Sequence, residues 1–313
     1  MSSTNVVNYS LRQNKAIERS LVFDCLKLLL PALDNPVYVG FGSVWFSDFH
    51  LAHRELGIET LISIEADDVV FKRAEFNRPY RTVEVIKGMS HEVMPYLTKR
   101  SDLRDRSWIA WLDYDRALDE PRVEELRALV TALPANSVLL ATFNATGRPY
   151  GSRPNQRPEF LRGLLGGVVP VDLSVEQCTD DRLASTLVGL VIDALRSHAI
   201  TIARPGQFDA FCRLAYRDSK PMATVGVLLT EGHQEEAVQI QSQSWPGFIE
   251  KMIDIPPLTN REVGALLSIL PPAMNSTINR AALHALGFDL EDADVELFAE
   301  HYLRYPTFAQ VTG

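Results

Sequence analysis

Apolar positions along the chain follow two periods, one typical of helices and one typical of buried strands. The first segment, residues 14–30, repeats apolar residues every three or four positions and stops at Pro31, which predicts an amphipathic helix. Short apolar runs then alternate with helical patterns. The predicted strands are residues 37–39, 60–64, 82–86, 108–112 and 138–143, and the predicted helices between them are residues 46–56, 67–77, 91–97 and 121–133.

Five apolar strands separated by helices predict a parallel sheet with helices on both faces. Two later β-like runs, residues 208–216 and 224–229, are joined by a polar turn and predict an antiparallel hairpin. The expected fold is therefore α/β and doubly wound, with a mostly parallel sheet whose edge is an antiparallel hairpin.

One helix is predicted before this hairpin, and the rest of the chain after the hairpin is predicted to be helical. The predicted helices are residues 181–197, 260–270, 277–286 and 293–304. Thr259, followed three residues later by Glu262, is expected to cap the second of them. We expect three parts: a helical lead-in over residues 1–36, a main domain over 37–230 and a helical extension over 231–313.

Composition narrows the class of protein. The 313 residues have a net charge of −9, which disfavours a nucleic-acid partner. Three cysteines at positions 25, 178 and 212 are too far apart for a zinc motif or a disulfide framework, so a reducing compartment is expected. The sequence has no apolar run of about 18 residues and no basic leader, so we predict a cytoplasmic protein with no membrane segment.

The first strand runs into a glycine turn, and the second strand ends in an acid. Gly40, Gly42 and Ser43 form a turn in which the backbone can approach a ligand closely. A dinucleotide motif would have a third glycine at position 45, where this chain has Trp45. Glu65 follows at the distance suited to binding both ribose hydroxyls. Together these features predict a nucleoside ligand without a diphosphate.

This order of elements resembles the class I S-adenosylmethionine-dependent methyltransferases, and the opening residues 8–12 and the Asn77-Arg78-Pro79 segment resemble bacterial O-methyltransferases. The resemblance covers roughly residues 37–143, with the hairpin similar to the antiparallel sixth and seventh strands of that fold. It implies a seven-stranded Rossmann-like sheet, S-adenosylmethionine as the cofactor, and methyl transfer to an oxygen atom of a small-molecule acceptor rather than to a nucleobase.

The resemblance also implies roles for individual residues. Gly40, Gly42 and Ser43 would lie under the methionine part of the donor, while Glu65 and Ala66 would lie at its ribose. Gly88 and Ser90 would face the adenine, although family members often have an acid where this chain has Met89. The donor-binding residues implied are Gly40, Gly42, Ser43, Glu65, Ala66, Gly88, Ser90 and Asp113.

The fourth strand ends in two acids that are candidates for catalysis. Asp113 and Asp115 alternate in the sequence, so in an extended segment both carboxylates would face one side and raise each other's pKa. Asn144, at the end of the fifth strand, is the third candidate. Metal-dependent O-methyltransferases have an Asp-Asn pair there, and because this chain lacks the Asp we expect no metal. Alternatively, Asp113 orders the methionine end or caps a helix while Asp115 is solvated.

Basic residues and histidines leave further alternatives open. Arg148, Arg153 and Arg157 lie in a predicted loop, residues 144–158, that either binds an anion or is simply solvated. Arg12, Lys15 and Arg19 recur at helical spacing and either cover the cofactor or face water. His50 and His53 are expected to have ordinary helix-surface or packing roles. Trp45 and Phe46 are expected to pack inside.

Other classes of function also remain open. A non-catalytic protein could keep the fold while its carboxy-terminal helices bind another protein. The hypothesis of a nicotinamide oxidoreductase is disfavoured by Trp45, which occupies the position of the third glycine. Oligomeric state is open between a homodimer and a complex with a protein partner.

Overall fold

The chain folds around one sheet of seven strands. The computed structural model describes residues 12–231, 240, 242, 244–272, 278, 280–285 and 290–306. The strands are β1 (Val37–Gly40), β2 (Thr60–Glu65), β3 (Val83–Lys87), β4 (Trp108–Asp113), β5 (Ser137–Asn144), β6 (Gln207–Arg217) and β7 (Pro221–Thr230). Their order across the sheet is β3-β2-β1-β4-β5-β7-β6.

Strand directions follow the predicted pattern. β1 pairs in parallel with β2 and β4, and the outer pairs β2–β3 and β4–β5 are also parallel. β7 is antiparallel to both β5 and β6. This confirms a doubly wound, mostly parallel sheet with an antiparallel hairpin edge, because four helical crossovers join the five parallel strands.

Ten α-helices are described. They are α1 (Gln13–Leu29), α2 (Ser47–Leu56), α3 (Asp68–Phe76), α4 (Ser90–Leu97), α5 (Glu120–Ala132), α6 (Arg157–Leu165), α7 (Leu183–Thr201), α8 (Asn260–Leu267), α9 (Arg280–Ala285) and α10 (Asp292–His301). Most bounds lie within a few residues of those predicted.

Helices cover both faces of the sheet. Successive side chains of a strand point to opposite faces, so each strand contributes to two cores. In β4, Trp108 and Leu112 belong to the core under α4, α5 and α7. Ile109 and Trp111 belong to the core under α1 and α2. The second core also contains Phe298 of α10, so the carboxy-terminal helices pack into the same core as the lead-in helix. The division of the chain at residues 36 and 230 stays a prediction.

α1 packs beside α2 on one face of the sheet. Contacts at the two ends of α1 fix its direction. At its start, the amide of Asn14 donates to the carbonyl of Arg217 over 2.6 Å and accepts from the N–H of Ile255 over 3.1 Å. Near its end, Lys27 pairs with Glu55 of α2 over 2.5 Å. These contacts place the amino terminus of α1 at the carboxyl ends of the strands.

The predicted cap of α8 is confirmed. The backbone N–H of Thr259 donates to the Glu262 carboxylate over 2.7 Å, and the N–H of Glu262 donates to the Thr259 hydroxyl over 3.3 Å. The helix is shorter than the predicted 260–270. Part of the predicted helix 277–286 lies outside the described residues.

The region after β5 is more ordered than the predicted loop. Two short 3-10 turns, Arg148–Tyr150 and Pro154–Gln156, lead directly into α6. Pro158 lies in the first turn of α6, a position where proline favours a helix start. Three prolines in this stretch hid the helical pattern.

α7 meets the length and apolarity needed to cross a bilayer, although it also contains Asp193 and Arg196. Its buried residues, which include Leu187 and Val191, belong to the core beside β7. This is the packing expected of a core helix.

Candidate functional site

The turn after β1 is shaped by its own side chains. Ser43 and Phe46 adopt left-handed backbone conformations, with φ of 55° and 49°. A side chain at Gly42 would begin 2.6 Å from the Phe46 ring and 2.7 Å from the Ser63 hydroxyl. Glycine at this position is therefore required by internal packing. Phe46 is buried as predicted, whereas Trp45 is 42% exposed, so its predicted packing role is wrong.

The backbone amides of this turn already have acceptors. The N–H of Gly42 donates to the Ser63 hydroxyl over 3.0 Å, and the N–H of Ser43 donates to Glu65 Oε1 over 2.6 Å. The N–H of Val44 donates to the Ser43 hydroxyl over 2.6 Å. Glycine loops that bind diphosphates offer free N–H groups. The turn of this chain does not offer these three.

Glu65 is a buried acid without a cation. It is 9% exposed, and among the described residues it forms no ion pair. Burial raises the pKa of Glu65 to about 7, with smaller contributions from Asp48 and Asp67, while the hydrogen bond from Ser43 opposes the shift. Oε1 accepts the Ser43 N–H, and Oε2 has no hydrogen bond within the part of the chain described. The exposed Ala66 follows directly.

The end of β3 meets the end of β2. The N–H of Gly88 donates to the carbonyl of Glu65 over 3.1 Å. Gly88 has a φ of 152°, and a side chain there would begin 2.7 Å from Val93. Ser90 is the first residue of α4 and is buried, and Met89 between them is 48% exposed. The predicted donor residues from β1, β2 and β3 therefore lie along one edge of the sheet.

Asp113 lies in an ionic cluster that joins β4 to α1. Its carboxylate is 2.8 Å from the ammonium of Lys15, and that ammonium is 3.3 Å from the carboxylate of Glu18. Lys15 and Glu18 are 2% and 0% exposed, whereas Asp113 is 35% exposed. Asp113 is thus the member of the cluster that a ligand can reach.

Hydroxyl groups extend this cluster to β5 and β7. Thr224 donates to Glu18 over 2.6 Å and lies 2.9 Å from the Thr142 hydroxyl. The indole N–H of Trp111 donates to Thr142 over 3.0 Å. We call this set the edge network; its members are Lys15, Glu18, Trp111, Asp113, Thr142 and Thr224.

Inside the edge network, the carboxylates of Glu18 and Asp113 share the single ammonium of Lys15. Burial alone lowers the pKa of Lys15, but the carboxylates of Asp113 and Glu18 outweigh it and leave the pKa above its ordinary value. Burial raises the pKa of Glu18, although Lys15 and the Thr224 hydroxyl favour its ionised form. The Lys15 ammonium also lies 5.1 Å from the Trp111 ring centroid and 5.3 Å from that of Tyr216. Lys15 is therefore held as a cation.

Asp115 and Asn144 do not join the edge network. β4 ends at Asp113, and Asp115 lies in the following loop with an exposed side chain. Asn144 ends β5, and its side chain accepts the N–H of Thr146 over 2.8 Å, which forms a local turn. The structure gives both residues positions at the carboxyl edge but places neither beside the carboxylate of Asp113.

Each of the two basic groups has buried members that differ from the solvated alternative, whereas Arg148 and Arg153 are exposed as that alternative expects. Arg157 is 2% exposed; it pairs with Asp180 over 2.7 Å and donates to the carbonyl of Cys178 over 2.6 Å. Arg157 therefore links the start of α6 to the residues before α7, and its guanidinium is not available to bind an anion. Lys15 and Arg19 are buried on the inner face of α1 rather than facing water.

The two histidines of α2 have local partners. Nδ1 of His50 lies 3.0 Å from the Tyr80 hydroxyl, and Nδ1 of His53 lies 2.9 Å from the carbonyl of Ile58. These contacts confirm ordinary helix-surface and packing roles. Among the described residues, no group of three His, Cys, Asp or Glu side chains is arranged to hold a metal ion.

An apolar cavity of about 400 Å³ lies elsewhere, between α4 and α5. Its wall includes Met94, Pro95 and Leu129. It belongs to the outer helical layer and shares no residue with the carboxyl edge described above. The candidate site is therefore the carboxyl edge of the sheet and not this cavity.

The residues that sequence reasoning missed are Glu18, Thr142 and Thr224. Each is polar and fully buried. The available signal was in α1, where Lys15 and Glu18 interrupt an apolar helix face.

A sheet in this order, with a glycine turn after its first strand and an acid ending its second, defines the Rossmann-like fold of the class I methyltransferases. The model of the family described as "Putative O-methyltransferase" matches residues 7–313, and the chain belongs to this family. No curated protein matches the chain.

Several solved structures are similar to parts of this chain. Trm1 from Pyrococcus horikoshii, in complex with S-adenosyl-L-methionine, is 13% identical with a TM-score of 0.45, over 75% of this chain and 61% of that one. The O-methyltransferase TomG from Streptomyces achromogenes, in complex with SAM, is 14% identical with a TM-score of 0.39, over 73% and 93%. The O-methyltransferase from Bacillus cereus, in complex with SAH, is 13% identical with a TM-score of 0.39, over 72% and 83%.

Proposed function

We propose that this protein transfers a methyl group from S-adenosylmethionine to an oxygen atom of a small-molecule acceptor. The observation that carries the proposal is Glu65, a buried acid that has no cation partner in the described part of the chain and is hydrogen-bonded to the glycine turn over 2.6 Å. Membership of the family supports the same reaction. When bound, the donor supplies an electrophilic methyl group on a sulfonium.

The residues at the carboxyl edge fit such a donor. The second carboxylate oxygen of Glu65 has no partner in the described chain, and two ribose hydroxyls are donors that suit it. Gly40, Gly42 and Ser43 would hold the methionine part. Ala66 would lie at the ribose, and Gly88 and Ser90 at the adenine.

The same turn argues against a dinucleotide. The N–H groups of Gly42, Ser43 and Val44 are used within the protein, so a diphosphate would find few donors there. This supports a ligand that carries a nucleoside but no diphosphate.

Asp113 is the proposed acidic residue on the acceptor side. The ammonium of Lys15 lies 2.8 Å from its carboxylate, while 35% of the Asp113 side chain stays exposed. The carboxylate would orient the donor's ammonium group or accept the proton of an acceptor hydroxyl. Lys15 is already protonated and is not a base. Asp115 and Asn144 are proposed to line the acceptor side.

The setting of the protein is also part of the proposal. The net charge of −9 favours a small-molecule acceptor over nucleic acid. Cys25, Cys178 and Cys212 are buried free thiols, which is consistent with the reducing cytoplasm.

Calorimetry with S-adenosylhomocysteine tests the donor site. We expect binding to the native protein, and a loss of about tenfold or more for Glu65→Ala, because two hydrogen bonds to a charged acceptor are removed. Glu59→Ala, at the exposed opposite end of β2, is the matched control and should bind normally. No heat and no thermal shift with either S-adenosylmethionine or S-adenosylhomocysteine would reject the proposed function.

Transfer of a labelled methyl group to cell extract tests the chemistry. If Asp113 acts as a base, Asp113→Asn should lower turnover by about 10²–10⁴-fold. Asp105→Asn changes a carboxylate that is 81% exposed and should leave turnover unchanged. Equal turnover in both variants would remove Asp113 from the chemistry while leaving donor binding intact.

A further inference from the structure

Arg19 is a buried cation that has no hydrogen-bond or ion-pair partner among the described residues. It is 8% exposed, and within the described residues its guanidinium has neither a hydrogen bond nor an ion pair. Arg157, the other buried arginine in this part of the chain, is bonded to Asp180, Cys178 and Gly151. Because buried charges are costly unless paired, the bare guanidinium of Arg19 points to a missing anion.

The position of Arg19 on α1 directs it to the candidate site. Arg19 lies one turn after Lys15 on the same helix face, and Lys15 contacts Asp113 at the end of β4. Side chains of a helix lean towards its amino terminus. The amino terminus of α1 lies at the carboxyl edge of the sheet, so the long Arg19 side chain leans towards that edge.

The neighbours of Arg19 place it beside the glycine turn. Tyr38 donates its hydroxyl to Asp48 over 2.5 Å, and this same Asp48 oxygen lies 3.6 Å from where a side chain at Gly40 would begin. Burial raises the pKa of Asp48, and the positive charge of Arg19 is the strongest influence against that shift. Arg19 is therefore within electrostatic reach of the turn, yet too far from Asp48 to pair with it.

We propose that Arg19 binds the α-carboxylate of the donor's methionine end, an inference that rests on the proposed function. A guanidinium presents two parallel N–H donors that match a carboxylate. Lys15 is unsuited to this role because Asp113 and Glu18 already occupy it. The amino-acid end of the donor is a zwitterion, and the partly exposed Asp113 offers the complementary charge to its ammonium group.

Two ligands that differ only in the carboxylate test this assignment. Isothermal calorimetry should show that the native protein binds S-adenosylmethionine about 10- to 100-fold more tightly than decarboxylated S-adenosylmethionine. In Arg19→Gln this preference should disappear, since S-adenosylmethionine binds more weakly while the decarboxylated ligand changes by less than about threefold. Arg19→Lys, which keeps the charge but loses the paired donors, should show an intermediate preference.

Arg54→Gln is the matched control, because Arg54 is 66% exposed on the neighbouring α2 and pairs with Glu55. It should keep the native preference. Thermal unfolding establishes that each variant is folded, and the ligand pair on the native protein and on Arg19→Lys decides the matter if Arg19→Gln does not fold.

The contrary outcomes are distinct. Equal affinity of the native protein for both ligands, or an equal loss of both in Arg19→Gln, would overturn the role of Arg19 while leaving the proposed function standing. Binding of neither ligand to the native protein would remove the proposed function, and this assignment with it.

Discussion

The two halves of the carboxyl edge treat charge in opposite ways. On the β2 side, Glu65 is buried with no cation, and its pKa is raised to about 7. On the β4 side, Lys15 lies between Asp113 and Glu18, and Thr224 completes the shell of Glu18. Among the described residues, the carboxylate of Glu65 has no cation partner, whereas the two carboxylates of the other half share the ammonium of Lys15.

This difference in ion pairing distinguishes groups that stabilise the fold from groups that we propose bind the ligand. A compensated cluster stabilises the packing of α1 on the sheet, because its desolvation is offset by its own ion pairs and hydrogen bonds. An unpaired group such as Glu65 or Arg19 lowers stability unless something else supplies the partner. Removing a charge should therefore have opposite effects on folding in the two halves.

The largest effect should come from Lys15→Met. The change leaves Glu18 and Asp113 close together without a cation, so we expect the free energy of unfolding at pH 7 to fall by about 3–5 kcal/mol, measured by urea denaturation. Lys27→Met is the matched control on the same helix; Lys27 is 43% exposed, and its loss should cost less than about 1 kcal/mol. Equal losses in the two variants would show that the edge network is not a stabilising unit.

A smaller effect of opposite sign is expected for Glu65→Gln. The pKa of Glu65 is about 7 in the fold against an ordinary 4.5, so the folded state holds its proton more tightly, and stability is lost as the pH rises from 4.5 to 7. Removing the charge should raise the free energy of unfolding by about 1–3 kcal/mol at pH 8 and change it little at pH 4.5.

The same variant should bind S-adenosylhomocysteine more weakly in calorimetry, since an amide is a poorer acceptor for ribose hydroxyls than a carboxylate. Glu59→Gln, exposed at the other end of β2, should change neither property. A loss of stability at pH 8 in Glu65→Gln would contradict the contrast between the two halves.

The smallest effect is expected at His301, an unpaired group outside the edge. It is 3% exposed, neither ring nitrogen has a hydrogen bond within the described chain, and burial lowers its pKa below 6.5. Because the unfolded chain binds the proton more readily, the contribution of His301 to stability is present above pH 6.5 and is lost as the pH falls below it.

His301→Phe should therefore lose part of the acid sensitivity, by up to about 1.4 kcal/mol per pH unit below 6.5 in denaturant titrations. His91→Phe, at an exposed position of α4, should keep the native slope. An unchanged slope in His301→Phe would mean that the ring has a partner in solution. Burial favours the neutral form of His301, so this group avoids a buried charge by losing its proton, whereas Glu65 and Arg19 are proposed to bind a ligand.

Much of the fold could be predicted because its parallel strands are buried on both faces. Continuous apolar runs such as 108–112 and 138–143 leave little choice but a central strand. The start of β7 at Pro221 was missed by three residues, since proline weakens a strand pattern. α6 was missed because prolines and glycines surround its short apolar face.

The two halves of the site differed in how far they could be predicted. The glycine turn and Glu65 lie 22 residues apart, from Ser43 to Glu65, and follow two consecutive strands, so spacing alone indicated their proximity. The edge network joins the lead-in helix α1 to strand β7, 206 residues later in the chain, and local patterns contain no information about such pairings. Helical spacing showed that Lys15 and Arg19 share a face of α1. Whether that face is buried or exposed depends on tertiary packing, which the spacing does not contain.

The hydrogen bond between Thr224 and Glu18 spans 206 residues of chain. At a synthesis rate of about 5–20 residues per second, the helix that carries Glu18 leaves the ribosome roughly 10–40 s before its threonine partner exists. During that interval α1 exposes both an apolar stripe and charges meant for the interior. Nascent chains shortened before β7 should therefore be the species most dependent on chaperones, because the last strand made supplies the hydroxyl that binds the buried acid of the first helix.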